Sequence, residues 1–169
     1  NAITASCGPV EMHVGSATRG TRLRAIAGPG VTVRFQANGD LGARMSAALR
    51  GGLRLHRRVI LIGSDSPALG AEHLRRAARL LRSHPAVLAP AEDGGYALIG
   101  LARFSPRLFT AMPWSTGSVI EETRHRLAAL QWRWCELHRV WDVDRPEDLA
   151  RLDASHLLHW RRPARSTTR

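Results

Sequence analysis

A chain of 169 residues supports one domain with one sizeable core, and 44% hydrophobic with 23% charged residues is the balance of a soluble globular protein. No apolar run approaches the roughly 20 residues that span a bilayer, and no basic stretch precedes an apolar segment at the N-terminus, so the expectation is a cytoplasmic protein. The net charge of +11 suggests nucleic acid, but all 25 cations are Arg and scatter along the chain, a pattern of codon bias, which argues against nucleic acid as a partner.

Short apolar runs alternate with amphipathic stretches, as in a domain rich in βαβ units. Pro9–Val14 and Val31–Gln36 read as strands, the second after the Gly28-Pro29-Gly30 breaker. Leu41–Leu55 reads as a helix with Leu41, Met45, Ala48, Leu49 and Leu53 on one face. The Val-Ile-Leu-Ile run within Arg58–Gly63 predicts a central parallel strand buried on both faces. Ala71–Ser83 is the clearest helix, with Leu74, Ala77, Ala78 and Leu81 inward and Arg75, Arg79 and Arg82 outward. Ala86–Ala91 and Tyr96–Leu101 read as strands around the Glu92-Asp93-Gly94-Gly95 turn, and Phe104–Met112 as a short helix. Ser118 and Glu121 have the spacing of a capping box for a helix running to about Leu130. Trp132–Val143 is strand-like at its end, and Pro146–Leu158 reads as a last helix. Arg161, Arg162, Arg165 and Arg169 cluster in a tail over 159–169 whose composition is that of a solvated segment. Cys7 and Cys135 stand apart with no ligand spacing and read as reduced thiols.

Three acidic loops follow predicted strands, the place where open α/β sheets bind ligands. They hold Asp65 in Gly63-Ser64-Asp65-Ser66-Pro67, Asp93 in Asp93-Gly94-Gly95, and Asp142 with Asp144. Hard oxygen ligands converging there would suit magnesium or manganese, which bridge to phosphates and offset charge on a nucleotide leaving group. Each acid also has a plainer reading. Asp65 is open to turn capping, although an acid directly after a buried strand favours a ligand role. Asp93 by spacing alone favours a hairpin turn, and Asp144 is equally a metal ligand or the N-cap of the helix near Pro146. Trp114-Ser115-Thr116 is open to lining a substrate pocket, or to covering the core edge and starting the next helix. Asp153, His156 and His159 share a helix face, where a solvated polar side is favoured over a metal site. No nucleophile elbow, Walker A loop, zincin motif or dinucleotide fingerprint is present.

Five stretches in register carry a family resemblance: 36–45, Ile62-Gly-Ser-Asp-Ser-Pro67, Asp93-Gly-Gly-Tyr-Ala-Leu-Ile-Gly-Leu101, Met112-Pro-Trp-Ser-Thr116 and Trp141-Asp-Val-Asp-Arg-Pro-Glu-Asp-Leu149. Together they resemble the glycosyltransferase-like family of radical-SAM/selenodomain-associated transferases, similar in turn to phospholactate and molybdenum-cofactor guanylyltransferases. The match runs from about Pro9 to Leu152. The resemblance implies a Rossmann-like, three-layer glycosyltransferase-A fold with a mixed, mainly parallel sheet over 1–158. It implies an enzyme that uses a nucleotide or nucleotide-sugar donor, a small acceptor and Mg2+ or Mn2+. Asp65 is then the metal-ligating catalytic acid and Asp144 a second acid reaching the metal. Asp93, with Gly94 and Gly95, lines the acceptor or sugar side, against the plain turn that spacing favours, and Trp114, Ser115 and Thr116 join them there. Gln36, Gly39 and Asp40 lie near the nucleotide. The family begins with a strand, a Pro/Gly/basic phosphate loop and a helix, and the expectation is that this chain, opening at Asn1, starts at the end of that helix. A catalytically degenerate binding module and an Arg-rich nucleic-acid binder are the readings from other classes.

Overall fold

The computed structural model describes residues 1–15, 23–24, 27–143, 148 and 151. A single helical turn, α1 (Ala2–Ala5), leads to β1 (Val10–Val14), which pairs in parallel with β2 (Val31–Phe35) from Val10 opposite Val31 to Val14 opposite Phe35. Helix α2 (Leu41–Leu55) follows, capped by Asp40, whose carboxylate accepts the Ala43 N–H at 2.8 Å. Of its predicted face, Leu49 is buried and Met45 and Leu53 pack on the core, whereas Leu41 is 48% exposed.

The remaining strands form one four-stranded sheet in the order β3-β5-β4-β6, made of β3 (Val59–Ile62), β4 (Ala86–Pro90), β5 (Tyr96–Leu101) and β6 (Trp134–Glu136). β5 runs antiparallel to both β3 and β4, and β6 runs parallel to β4. Hence β3, β4 and β6 share one direction and end at one edge. The Val-Ile-Leu-Ile run corrects an expectation: β3 borders its sheet, its first three residues are half-buried, and Ile62 is 37% exposed. Burial on both faces belongs to β4, where all five residues are buried, because it has strands on both sides and helices above and below.

Alternation along the central strands divides the core in two. Val87, Ala89 and Leu98 meet Ala5, Leu74, Ala77 and Leu81 of α1, of α3 (Ala71–Leu80) and just beyond it. Ala86, Leu88, Ile99 and Leu101 meet Leu49 of α2 and Ile120 and Leu127 of α4 (Val119–Ala129). The result is three layers, helix, sheet and helix.

Two further expectations are corrected. The 104–112 segment holds only a 3-10 turn, Pro106–Leu108, and Ala111 takes a left-handed φ of 50°, which helix continuation forbids. At the start of α4 the Ser118 side chain makes no capping bond, and Glu121 pairs with Arg124 instead. The helix end is closed from outside by the Gly94 carbonyl, which accepts the Ile120 N–H at 2.9 Å. The expected helix over 146–158, the tail over 159–169 and the Asp153/His156/His159 face lie outside the described residues. None of the described helices is long and apolar enough to cross a membrane.

Candidate functional site at the acidic edge of the sheet

Because β3, β4 and β6 end together, the loops behind them meet. The Val143 N–H donates to the Asp65 carbonyl at 2.9 Å, joining the Asp65 loop to the Trp141-Asp142-Val143 segment. Glu92 N–H donates to Val140 at 3.1 Å, Val140 N–H to Pro90 at 2.9 Å, and Ala91 bridges Val140. The structure therefore brings together the three acidic loops that the sequence separates by up to 78 positions, from Asp65 to Val143.

Asp65 is exposed, and its carboxylate takes no hydrogen bond or ion pair among the described residues. Turn capping is thus not its role: the turn closes through Leu69 N–H on the Ser66 carbonyl at 3.1 Å. The carboxylate lies over Gly63, where a Cβ would stand 2.6 Å from Oδ1, so only glycine leaves it this position. Ser66 beside it is 8% exposed, with a buried hydroxyl that has no partner among the described residues. Asp142 is half-buried and engaged, and Asp144 lies outside the described residues.

Asp93 is exposed and accepts the Gly95 N–H at 2.8 Å, the turn chemistry its spacing predicts. Gly94 has φ 88°, and a Cβ on it would stand 2.1 Å from the Gly117 carbonyl oxygen. With the Ile120 bond to its carbonyl, this packing fixes the acidic turn against the 114–118 loop. There the Thr116 hydroxyl donates to Pro113 at 2.7 Å and lies 2.9 Å from that of Ser118, while Ser115 is exposed at φ 61°. Trp114 covers the core edge. Its indole packs on Gly42 of α2, where a Cβ would stand 2.5 Å from Nε1, and Nε1 is buried without a partner. Trp114 thereby links the loop to the start of α2, behind Gln36, Gly39 and Asp40. Those three are exposed: Gln36 is tied to β1 through its N–H on Val14 at 2.9 Å, and Gly39 has φ 114°.

Sequence reasoning missed two arginines that hold this edge. Arg126 donates to the carbonyls of Arg107 at 2.8 Å, Thr110 at 2.6 Å and Ala111 at 3.0 Å, and to Glu122 at 2.6 Å, fixing the approach to Trp114. The Glu122/Arg126 spacing of i, i+4 was the visible signal. Arg151 donates to both Glu92 oxygens, at 2.7 and 2.9 Å, and its guanidinium sits 4.8 Å over the Trp141 ring. Those hydrogen bonds hold the Glu92 carboxyl below its ordinary range. Tyr96, just after the turn, has a buried hydroxyl without a partner among the described residues, and burial pushes its ionisation up.

Among the described residues no cluster of three or more His, Cys, Asp or Glu is close enough to enclose a metal ion. One or two carboxylates suffice for a magnesium-type centre whose other positions are water and phosphate oxygens. Asp65, exposed and uncommitted, fits such a ligand.

No curated protein matches the chain in sequence. Among solved structures, it is similar to a proposed nucleotide-diphospho-sugar transferase from Desulfovibrio desulfuricans G20, with 29% identity and a TM-score of 0.80 over 91% of this chain and 69% of that one. It is also similar to the Rv0371C protein of Mycobacterium tuberculosis H37Rv, solved in complex with manganese, with 23% identity and a TM-score of 0.53 over 89% and 81% of the two chains. At that identity the second likeness speaks for the fold alone. The chain has the expected glycosyltransferase-A-like fold. Residues 1–116 match the family described as uncharacterized protein conserved in bacteria, DUF2064, and the chain belongs to that family.

Proposed function

We propose that the chain is a metal-dependent transferase that takes a nucleotide or nucleotide-sugar donor at the acidic edge of its sheet. The observation that carries this reading is Asp65: a carboxylate without partners among the described residues, just beyond β3, hydrogen-bonded through its backbone to the Trp141–Val143 segment. The likeness in fold to a proposed nucleotide-diphospho-sugar transferase supports the substrate class. In this reading Asp65, with Asp144, holds Mg2+ or Mn2+. The cation would neutralise charge on the donor phosphates and on the leaving group. Asp93, oriented by the Gly95 N–H, works on the acceptor side with Gly94, Gly95, Trp114, Ser115 and Thr116. Gln36, Gly39 and Asp40 hold the nucleotide side.

The test is thermal stability with a panel of nucleotides and nucleotide sugars, each with and without Mg2+ or Mn2+. The expected result is a rise in Tm of a few degrees that needs both nucleotide and metal, as binding to the native state alone requires. Asp65→Asn should abolish that rise without changing the Tm of the unliganded chain by more than a degree or so. A rise that survives Asp65→Asn removes Asp65 as the ligand. The product separates the two transfers, since glycosyl transfer from a nucleotide sugar releases nucleoside diphosphate and nucleotidyl transfer from a triphosphate releases pyrophosphate.

A further inference from the structure

A groove of about 300 Å³ lies between α3 and the segment following β6, walled by Glu72, His73, Arg76 and Arg79 on one side and Leu137 and His138 on the other. Arg76 and Arg79 are exposed, and neither takes an ion pair or hydrogen bond among the described residues. That sets them apart from Arg75, Arg124, Arg126 and Arg151, all of which are paired. The spacing of i, i+3 places the two guanidinium groups side by side on the helix. Glu72, the carboxylate in the wall, is already held by Arg75 at 2.5 Å, and Arg75 is anchored in turn on the Thr4 carbonyl at 2.9 Å. The positive charge of the groove is therefore uncompensated. His73 adds a directed donor: Nδ1 accepts the Gly70 N–H at 3.2 Å, which leaves the hydrogen of the neutral ring on Nε2. Leu137, 6% exposed, forms an apolar wall across from the helix.

We infer that this groove is an anion site for the phosphate group of a small ligand, separate from the acidic edge. Paired guanidinium forks match tetrahedral oxyanions in shape and charge, and a concavity strengthens them by limiting water. The acidic edge repels a phosphate until a cation is present; this groove needs none. A small ligand fits better than a nucleic acid strand because Arg82, just beyond the helix, lines with Arg103 another hollow of about 190 Å³.

The inference stands on its own residues and not on the transferase reading, and its test is run with EDTA present so that the two fail separately. Inorganic phosphate and pyrophosphate are titrated into the 15N-labelled full chain. Saturable shifts are expected for amides over 72–79 and at 137–138. Arg76→Gln with Arg79→Gln should weaken binding at least tenfold. Arg50→Gln with Arg54→Gln, the same charge loss on α2, should leave it within twofold. If the first double variant does not fold, Arg76→Lys with Arg79→Lys keeps the charge, loses the fork, and should weaken pyrophosphate binding more than threefold. Absence of saturation overturns the site, as does equal weakening by both Gln pairs. Steeply salt-dependent binding of duplex DNA, without saturable binding of phosphate, overturns it in favour of a diffuse polyanion surface.

Discussion

Asp40, Asp65 and Asp93 each stand beside the end of a regular element, where a cap or a turn is open to any acid. An acid in that position either completes backbone hydrogen bonding or is left available. Asp40 accepts from Ala43 and Asp93 from Gly95, so each has an identified structural task before any ligand arrives. Asp65 has none, and its distinction rests on Gly63 and Val143, one of them far away in sequence. Local pattern leans towards a turn at Asp93 and a ligand at Asp65, but that the Asp65 carboxylate is left available rests on contacts that are not local. Gly94 shows the same limit. Asp-Gly predicts positive φ, but not the Gly117 carbonyl that fills the space a side chain would need. Gly94→Ala combines a left-handed alanine, about 1–2 kcal/mol, with a contact that backbone must move to relieve. The expected loss in thermal or denaturant unfolding is at least about 2 kcal/mol. Gly51→Ala, at an exposed helical position with nothing within 4 Å, should instead be neutral or stabilising by up to about 1 kcal/mol. Equal effects at the two sites would contradict the packing of the acidic turn on the 114–118 loop.

At the scale of elements, periodicity places α2 with the bounds the structure has, and gives α3, β4 and β5 to within a few residues, because their apolar faces repeat at 3.6 or 2. It gives β3 as a strand but not its place at the border, since an apolar run is the same string in a border strand as in a central one, and strand order is not local. It gives the span of α4 but not its cap, where Ser118 and Glu121 have the spacing of a capping box but each finds a different partner. The short strand β6 depends on such a partner as well. Glu136 accepts from Arg124 at 2.8 and 2.6 Å and from Trp134 at 3.0 Å, fastening β6 to α4. The Arg124 bonds, chiefly, hold the Glu136 carboxyl below its ordinary range against the opposing effect of burial. A carboxyl depressed in the folded state stabilises fully above its unfolded pKa, and the contribution is lost as pH falls through the folded value. Glu136→Gln should therefore lower stability at neutral pH by about 1 kcal/mol, modest because water screens groups that are 26–27% exposed. The gap between the two proteins should narrow as pH falls below about 4. A gap in Tm that stays constant between pH 7 and pH 3 would show that the charge of Glu136 contributes nothing.

At the scale of the whole molecule, the four-stranded sheet carries a different hydrophobic cluster on each face, and β4 and β5 contribute alternate residues to both. That the core is double was not legible in length and composition, because the clusters are assembled from helices far apart in sequence. This architecture has a mechanical consequence. Leu74 on α3 and Ile120 on α4 lie in opposite clusters with the sheet between them and share no cluster partner. Substitutions on the two sides should therefore act independently on stability, yet the common strands should keep unfolding cooperative. Leu74→Ala is expected to cost about 2–5 kcal/mol and Ile120→Val about 0.5–1.5 kcal/mol. The double variant should lose their sum to within about 0.5 kcal/mol, in one denaturant transition followed equally by fluorescence and far-UV circular dichroism. Two separated transitions would mean that each face holds its own folding unit and that β4 and β5 do not couple them. A coupling larger than about 1 kcal/mol in a single transition would mean that strain crosses the sheet. In that case a helix shift on the α3 side, where Arg76 and Arg79 stand, would be felt by the Gly94–Ile120 contact at the acidic edge.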